Sequence, residues 1–260
     1  MLKNRLIPVL YLKNGLLVRS EKFKFHQVIG NPVAQVERYN TWDVDELIYI
    51  DITKDEEYTL KRDDLKMKDS KTIFEIISKV SEKCFMPLTV GGKIRTIEDI
   101  KKRLQVGADK VIINTIAIEN PNFITEAAKI FGSQCIVVSI DFKKTNKGYE
   151  VYYNHGEKPT GKDPVEWAKQ VERLGAGEIF LNSIDRDGTA EGYDLELIKK
   201  VNDAVNIPVI VCGGVGDFDD FKKGLKIGAS AVAAGNIFNF TEHSYKFAKK
   251  ELKDEGFNVR

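Results

Sequence analysis

The stretch TVGGKIRTIEDIKKRLQVGADKVIINT, residues 89–115, is echoed half a chain later by VCGGVGDFDDFKKGLKIGASAVAAGN, residues 211–236. Both run in the order Gly-Gly, amphipathic segment, Gly-Ala, apolar run, small polar residues. Two further pairs repeat at nearly the same separation. DELIYID (45–51) matches GEIFLNSID (177–185), setting Glu46 opposite Glu178. IPVLYLKNG (7–15) matches VVSIDFKK (137–144), setting Tyr11 opposite Asp141 and Lys13 opposite Lys143. An offset of about half the chain makes the protein two similar halves.

Outward from these pairs the pattern is an alternation of short β-branched runs with segments of helical spacing, the signature of a parallel sheet. The strands are expected at 6–11, 47–51, 86–90, 110–113, 136–141, 179–182, 209–212 and 231–234. Helices are expected at 31–39, 70–82, 97–104, 121–130, 164–174, 195–204, 217–227 and 242–252, several opened by a capping residue or a first-turn proline. Apolar runs of this kind suit a doubly wound sheet or a barrel equally well. The repeat decides between them: two four-unit halves predict a single (β/α)8 barrel domain over 1–260.

Composition narrows the function classes. With 42% hydrophobic and 30% charged residues the chain buries a full core and keeps a polar surface. A formal charge of +1 gives no global attraction to nucleic acid or anionic lipid, so anion binding has to be local. Cys84, Cys135 and Cys212 are odd in number and widely separated, which reads as buried thiols in a reducing compartment rather than a metal site. No window is apolar enough for a signal sequence or a membrane span, so a cytoplasmic location is expected.

Glycine-rich turns after barrel strands hold phosphates through backbone N–H groups, because no side chain blocks the approach. Gly91 and Gly92 with Asn114 and Thr115 form one candidate set. Gly213 and Gly214 with Gly235 and Asn236 form its counterpart at the usual phosphate position of the fold. A lone Gly-Gly is more often only a turn; two symmetric sets predict a ligand with a phosphate at each end. The run SIDRDGT (183–189) is polar and tightly turned, presenting Asp187 and Gly188 to that ligand while Asp185 and Arg186 play a structural part. Asp51, Asn182 and Ser183 are strand-tip residues facing the same mouth. Asp141 is the strongest acid-base candidate there, against the plainer reading of a turn-capping carboxylate.

At the other end Arg5, Glu46, Lys110 and Glu178 stand at or just before strand starts, two positive and two negative. Spacing alone leaves them either a salt-bridged plug or a functional ring, and features on this face usually serve stability. Two long loops break the rhythm. TKDEEYTLKRDDLKMKDS (53–70) is either a functional loop or a tolerated insertion, and GYEVYYNHGEKPTGKDP (148–164) alternates like a small hairpin.

These residues resemble one family, HisF, the cyclase subunit of imidazole glycerol phosphate synthase. The likeness rests on GNP (30–32), DEL (45–47), DIT (51–53), TVGG (89–92), GADK (107–110), INT (113–115), FGSQ (131–134), GAGE (175–178), SIDRDGT (183–189) and GFNVR (256–260). The resemblance implies a bisphosphorylated ligand, no cofactor, a HisH-like glutaminase on the bottom face and ammonia moving along the barrel axis. It makes Arg5, Glu46, Lys110 and Glu178 the charged gate and Asp141 one of two catalytic aspartates. The other falls in a Leu-Asp-Val-Lys-Asp-Gly run that reads LYLKNG here, so Tyr11 holds the place of an aspartate, as the internal repeat also says. A phenol with a pKa near ~10 is no carboxylate base at neutral pH. Arg19 stands where the family has a flexible-loop lysine and Lys93 where it has a third glycine. Asn154 and His155 differ in the hairpin, and the insertion after Asp51 is foreign. Such a pattern is similar to the HisF-like branch associated with glycosyl amidation. There, barrel and glutaminase resemble an ammonia supply for an N-acetyl sugar amidotransferase that turns acetamido into acetamidino groups in surface polysaccharide synthesis. The alternative is a genuine cyclase of histidine biosynthesis, converting the phosphoribosyl formimino-AICAR phosphate and ammonia to imidazole glycerol phosphate and AICAR.

Overall fold

The structure, a computed structural model, describes residues 3–55, 58, 72–240 and 243–260. From the N-terminus, β1 (Arg5–Lys13) leads into a hairpin of β2 (Leu16–Glu21) and β3 (Phe25–Gly30), then α1 (Pro32–Thr41), β4 (Leu47–Asp51) and α2 (Ile73–Ser81). Next come β5 (Leu88–Gly91), α3 (Ile97–Gln105), β6 (Lys110–Ile113), α4 (Thr115–Glu119) and α5 (Asn122–Phe131). The second half holds β7 (Ile136–Thr145), β8 (Gly148–Tyr153), β9 (Lys158–Pro159), α6 (Pro164–Leu174), β10 (Glu178–Ser183) and α7 (Leu195–Ala204). It ends with β11 (Val209–Cys212), α8 (Phe218–Lys226), β12 (Ala231–Ala234), α9 (Ile237–Phe240) and α10 (Ser244–Asp254).

Eight of these strands pair in parallel around a closed ring, β1 to β4, β5, β6, β7, β10, β11 and β12, and β12 returns to β1. The expected (β/α)8 barrel is therefore the observed fold. The half-barrel repeat persists in local chemistry. Thr96 and Asp99 build a capping box at the start of α3, and Asp217 and Asp220 build the same box at the start of α8. Each box satisfies two orphan N–H groups of its first turn.

Strand parity divides the apolar residues into two regions. Outward residues such as Leu6, Leu47, Val90 and Val211 pack against the helices, while Ile7, Val9, Ile48, Val137, Phe180 and Ile210 fill the lumen. Several boundaries differ from expectation, and for β5 and α2 the reason is physical. β5 starts at Leu88 because Pro87 lacks an N–H for the ladder, although its carbonyl still accepts from Leu47. α2 starts behind Thr72, whose hydroxyl caps it. α10 runs to Asp254 rather than 252. The β2–β3 hairpin is an addition to the expected elements. The 148–164 hairpin is present as expected, and β8 pairs antiparallel with both β7 and β9. Most of the 53–70 loop lies outside the described residues. Among the described residues no helix is long and apolar enough to cross a membrane, and no group of three or more His, Cys, Asp or Glu is placed to hold a metal.

Candidate active site and charged ring

At the N-terminal end of the barrel the four charged side chains meet. Arg5 lies 2.7 Å from Glu46 and 2.9 Å from Glu178, and Lys110 lies 3.1 Å and 3.0 Å from the same two carboxylates. Each charge thus touches two of opposite sign, closing a ring. Glu46 is buried and also accepts from the Thr89 hydroxyl at 3.2 Å. Burial works against its charge, but Arg5 and Lys110 outweigh burial and hold its carboxyl below the usual range. Burial likewise opposes the Arg5 cation, and Glu46 and Glu178 more than restore it.

The opposite end opens into a cavity of about 900 Å³. Tyr11, Asp51, Gly92, Asn114, Thr115, Asp141 and Asn182 line it, so strand tips from both half-barrels converge there. Gly91 lies just beneath, where a Cβ would press on Ile112 at 3.2 Å. Gly92 has φ +94°, and a Cβ there would sit 2.1 Å from the Asp51 carbonyl oxygen, so only glycine fits this turn. Its twofold counterpart Gly214, φ +107°, comes equally close to the Gly192 carbonyl oxygen. Asn114 Nδ2 donates to the Ser139 carbonyl at 3.1 Å. Thr115 Oγ1 accepts from the Asn154 amide at 3.3 Å, tying the first grip to the 148–164 hairpin.

The two grips are unequal. Asp187, Gly188, Gly213, Gly214, Gly235 and Asn236 gather around a separate pocket of about 30 Å³, shared with Tyr11. A water needs ~10–15 Å³ of such space, so this pocket has room for about two. The β2–β3 hairpin is tied to two residues of this pocket. Its Ser20 hydroxyl donates to Asp187 at 2.6 Å, its Phe23 amide donates to the same oxygen at 3.2 Å, and Asn236 Nδ2 donates to the Ser20 carbonyl at 3.3 Å. Asp187, expected to face a ligand, lines this pocket and also pins the hairpin, and burial pushes its carboxyl upward.

Two residues expected to face the ligand, Arg19 and Ser183, line neither space. Arg19 turns outward beside Glu21 at 3.5 Å, because its neighbours Val18 and Ser20 take the inward parity of β2. Ser183 is buried at the end of β10 against Gly213. Asp185 accepts from the Lys144 amide at 2.8 Å, and Arg186 donates to the Glu191 and Gly192 carbonyls at 3.0 Å, structural contacts that hold the 183–189 turn.

Asp141 is buried, and burial raises its pKa from 3.8 to about 7. The Ser139 hydroxyl, donating at 2.8 Å, opposes that rise, Asp187 adds to it, and Asn182 opposes it. A carboxyl held near neutrality can both give and take a proton. Ser139 carries no motif that singles it out in the sequence, although it lies two residues before Asp141 on the same strand face. Tyr11 lies within 3.5 Å of Asn182 Nδ2, and burial pushes its phenol well above the ordinary value. Lys93, in sequence only a departure from glycine, takes φ +52°, lies 3.6 Å from Asp51, and donates to the Asp55 carbonyl. Tyr58 from the insertion donates to the same carboxylate oxygen, Asp51 Oδ2, at 3.0 Å.

Comparison with known proteins gives the family. The histidine biosynthesis protein family matches residues 5–244. A Vibrio vulnificus (strain YJ016) protein that carries the provisional name imidazole glycerol phosphate synthase subunit hisF2 is 45% identical over 261 residues, covering 100% of this chain and 92% of its own length. A match across the whole barrel, from the charged ring to the strand tips, places the chain in the histidine biosynthesis protein family and, within it, among the HisF proteins.

Proposed function

We propose that the chain is the barrel subunit of a glutamine-dependent amidotransferase complex. It receives ammonia from a HisH-like glutaminase at the charged ring, passes it along the lumen, and supplies it for amidination of an N-acetyl sugar in surface polysaccharide synthesis. One observation carries this reading: the ring is complete while Tyr11 stands where the half-barrel repeat puts an aspartate. Burial moves that phenol further from any role as a base. The lumen between the two ends is apolar, which suits a neutral molecule and penalises an ion.

The test combines the chain with its glutaminase. The expected result is a stable complex with faster glutamine hydrolysis, lost in Glu46→Gln and Lys110→Met. Free ammonium and the phosphoribosyl formimino-AICAR phosphate should give no imidazole glycerol phosphate. Formation at an ordinary cyclase rate would overturn the reading and establish the histidine cyclase instead, with Asp141 as its acid-base group. That second reading is favoured by the name of the Vibrio relative and by the near-neutral Asp141.

A further inference from the structure

Two lysines reach the barrel mouth on the strand face that points into it. Ile7, Val9 and Tyr11 face the lumen along β1, and the same alternation carries Lys13 to the cavity wall. On β7, Val137 and Asp141 take the inward parity, and Lys143 follows two residues later. The half-barrel repeat pairs these two lysines as it pairs Tyr11 with Asp141. The β2–β3 hairpin adds Lys22, Lys24 and His26 to the same wall. Its tip meets the turn between β8 and β9, where a Cβ on Gly156 would lie 3.0 Å from the Phe23 ring. Lys143 Nζ donates to the Gly156 carbonyl at 2.8 Å, and Lys13 Nζ lies 3.4 Å from His26 Nδ1.

Charge on this wall is not balanced. Six lysines and one arginine line the cavity against five carboxylates. Two of those carboxylates already have cations: Asp51 has Lys93 at 3.6 Å, and Glu157 has Lys54 at 2.6 Å. A third, Asp141, is held near neutrality by burial. Among the described residues, the ammonium groups of Lys13, Lys22, Lys24 and Lys143 make no ion pair with a carboxylate. Asp185 attracts Lys143 from a distance while Lys24 repels it, and Asp185 is itself taken by the Lys144 amide. The histidines feel the same field. Burial, Lys13 and His155 all lower the pKa of His26; burial, Lys54 and Lys93 lower that of His155, against Glu157 and Asp51. A cleft walled by one sign of charge concentrates the opposite sign.

We propose that Lys13, Lys22, Lys24 and Lys143, with His26, form an anion seat on the hairpin wall of the upper cavity, separate from both glycine grips, and that it takes a diphosphate group. One phosphate monoester carries about −1.5 to −2, less than four unpaired ammonium groups can neutralise. Two joined phosphates supply more charge, and their oxygens accept from several lysines at once. His26 becomes a further donor when the anion favours its protonation. The cavity, about 900 Å³, has room for the rest of such a ligand. The seat depends on neither the charged ring nor the fate of ammonia.

The chain has three histidines, so its imidazoles can be followed one by one. The full chain, labelled with ¹⁵N in histidine, is titrated with inorganic pyrophosphate, and the ring signals are recorded by NMR from about pH 5 to about pH 8. His26 should move to saturation and His155 less, with the His26 pKa climbing back toward its usual value. His243, beside Trp42 at 6.0 Å and not among the cavity residues, should stay where it is. Each pH unit of that climb tightens pyrophosphate by about tenfold as the pH falls through it. Lys24→Met and Lys143→Met should each weaken binding by about tenfold, the loss of one charge-assisted hydrogen bond. Lys144→Met, one residue along β7 with a side chain 64% exposed, should leave it unchanged. Movement no larger than sodium chloride of equal ionic strength produces, or an equal loss in Lys144→Met, overturns the seat. Binding that survives Lys24→Met and Lys143→Met but is lost in Thr115→Val places the anion in the glycine grip and overturns it too. Equal affinity for inorganic phosphate overturns the diphosphate assignment.

Discussion

Asp141 is disfavoured as a carboxylate because burial outweighs the support of the Ser139 hydroxyl and of Asn182, and Asp187 repels the charge. With the folded pKa raised from 3.8 to about 7, the folded state binds the proton more tightly than the unfolded chain. The associated stability is fully present below the unfolded value and is lost as pH rises through the folded one. Asp141→Asn removes the ionisation but keeps an acceptor for Ser139. Urea unfolding should therefore show the variant gaining on wild type between about pH 4 and pH 7, by on the order of 1.4 kcal/mol for each pH unit crossed, with a plateau above. Parallel pH profiles for the two proteins would mean that Asp141 is not the titrating group.

The β2–β3 hairpin is the element whose position changes the site most, and one carboxylate holds it. Asp187 takes the Ser20 hydroxyl and the Phe23 amide, while its own carbonyl accepts from the Lys22 amide at 2.9 Å. Asp187→Ala removes the acceptor for both donors, a loss of about 1–3 kcal/mol, which is localised where the hairpin meets the barrel. Cleavage by trypsin after Lys22 or Lys24 should then rise by about tenfold per 1.4 kcal/mol, since proteolysis follows the open population. An unchanged cleavage pattern would show the hairpin to be held by its strands alone. This element is also the least legible in the sequence. The barrel strands announce themselves as apolar β-branched runs, and the four ring residues are visible because strand starts fix their height. The turn from β1 into β2 carries an Asn14-Gly15 pair, but the turn between β2 and β3 places Lys22 and Phe23 at φ +51° and +59° with no glycine to mark it. The Ser20 to Asp187 bond joins residues 167 apart, so no local pattern reveals that Asp187 serves the hairpin.

The charged ring belongs to the whole molecule, because its four members come from β1, β6, β10 and the residue before β4, and meet only when the barrel closes. Each carboxylate is shared by two cations, so the ring is electrically balanced and its members are coupled. Removing Lys110 leaves Glu46 with Arg5 as its one cation beside the Thr89 hydroxyl, and Glu46 has almost no water to replace the lost charge. Breaking a buried pair this way costs roughly 3–5 kcal/mol, and the 20% exposure of the Lys110 side chain argues for the lower end. Lys110→Met with Glu178→Gln removes one charge of each sign and restores balance around Arg5 and Glu46. The double variant should thus be destabilised by less than the sum of the single variants, with a coupling of about 1–3 kcal/mol in a urea-unfolding cycle. Because the pairs lie within contact distance and largely out of water, the coupling should change little between low and high salt. Simple additivity would mean that the four charges act separately, and the ring would then be an accident of strand starts rather than a device that closure of the barrel assembles.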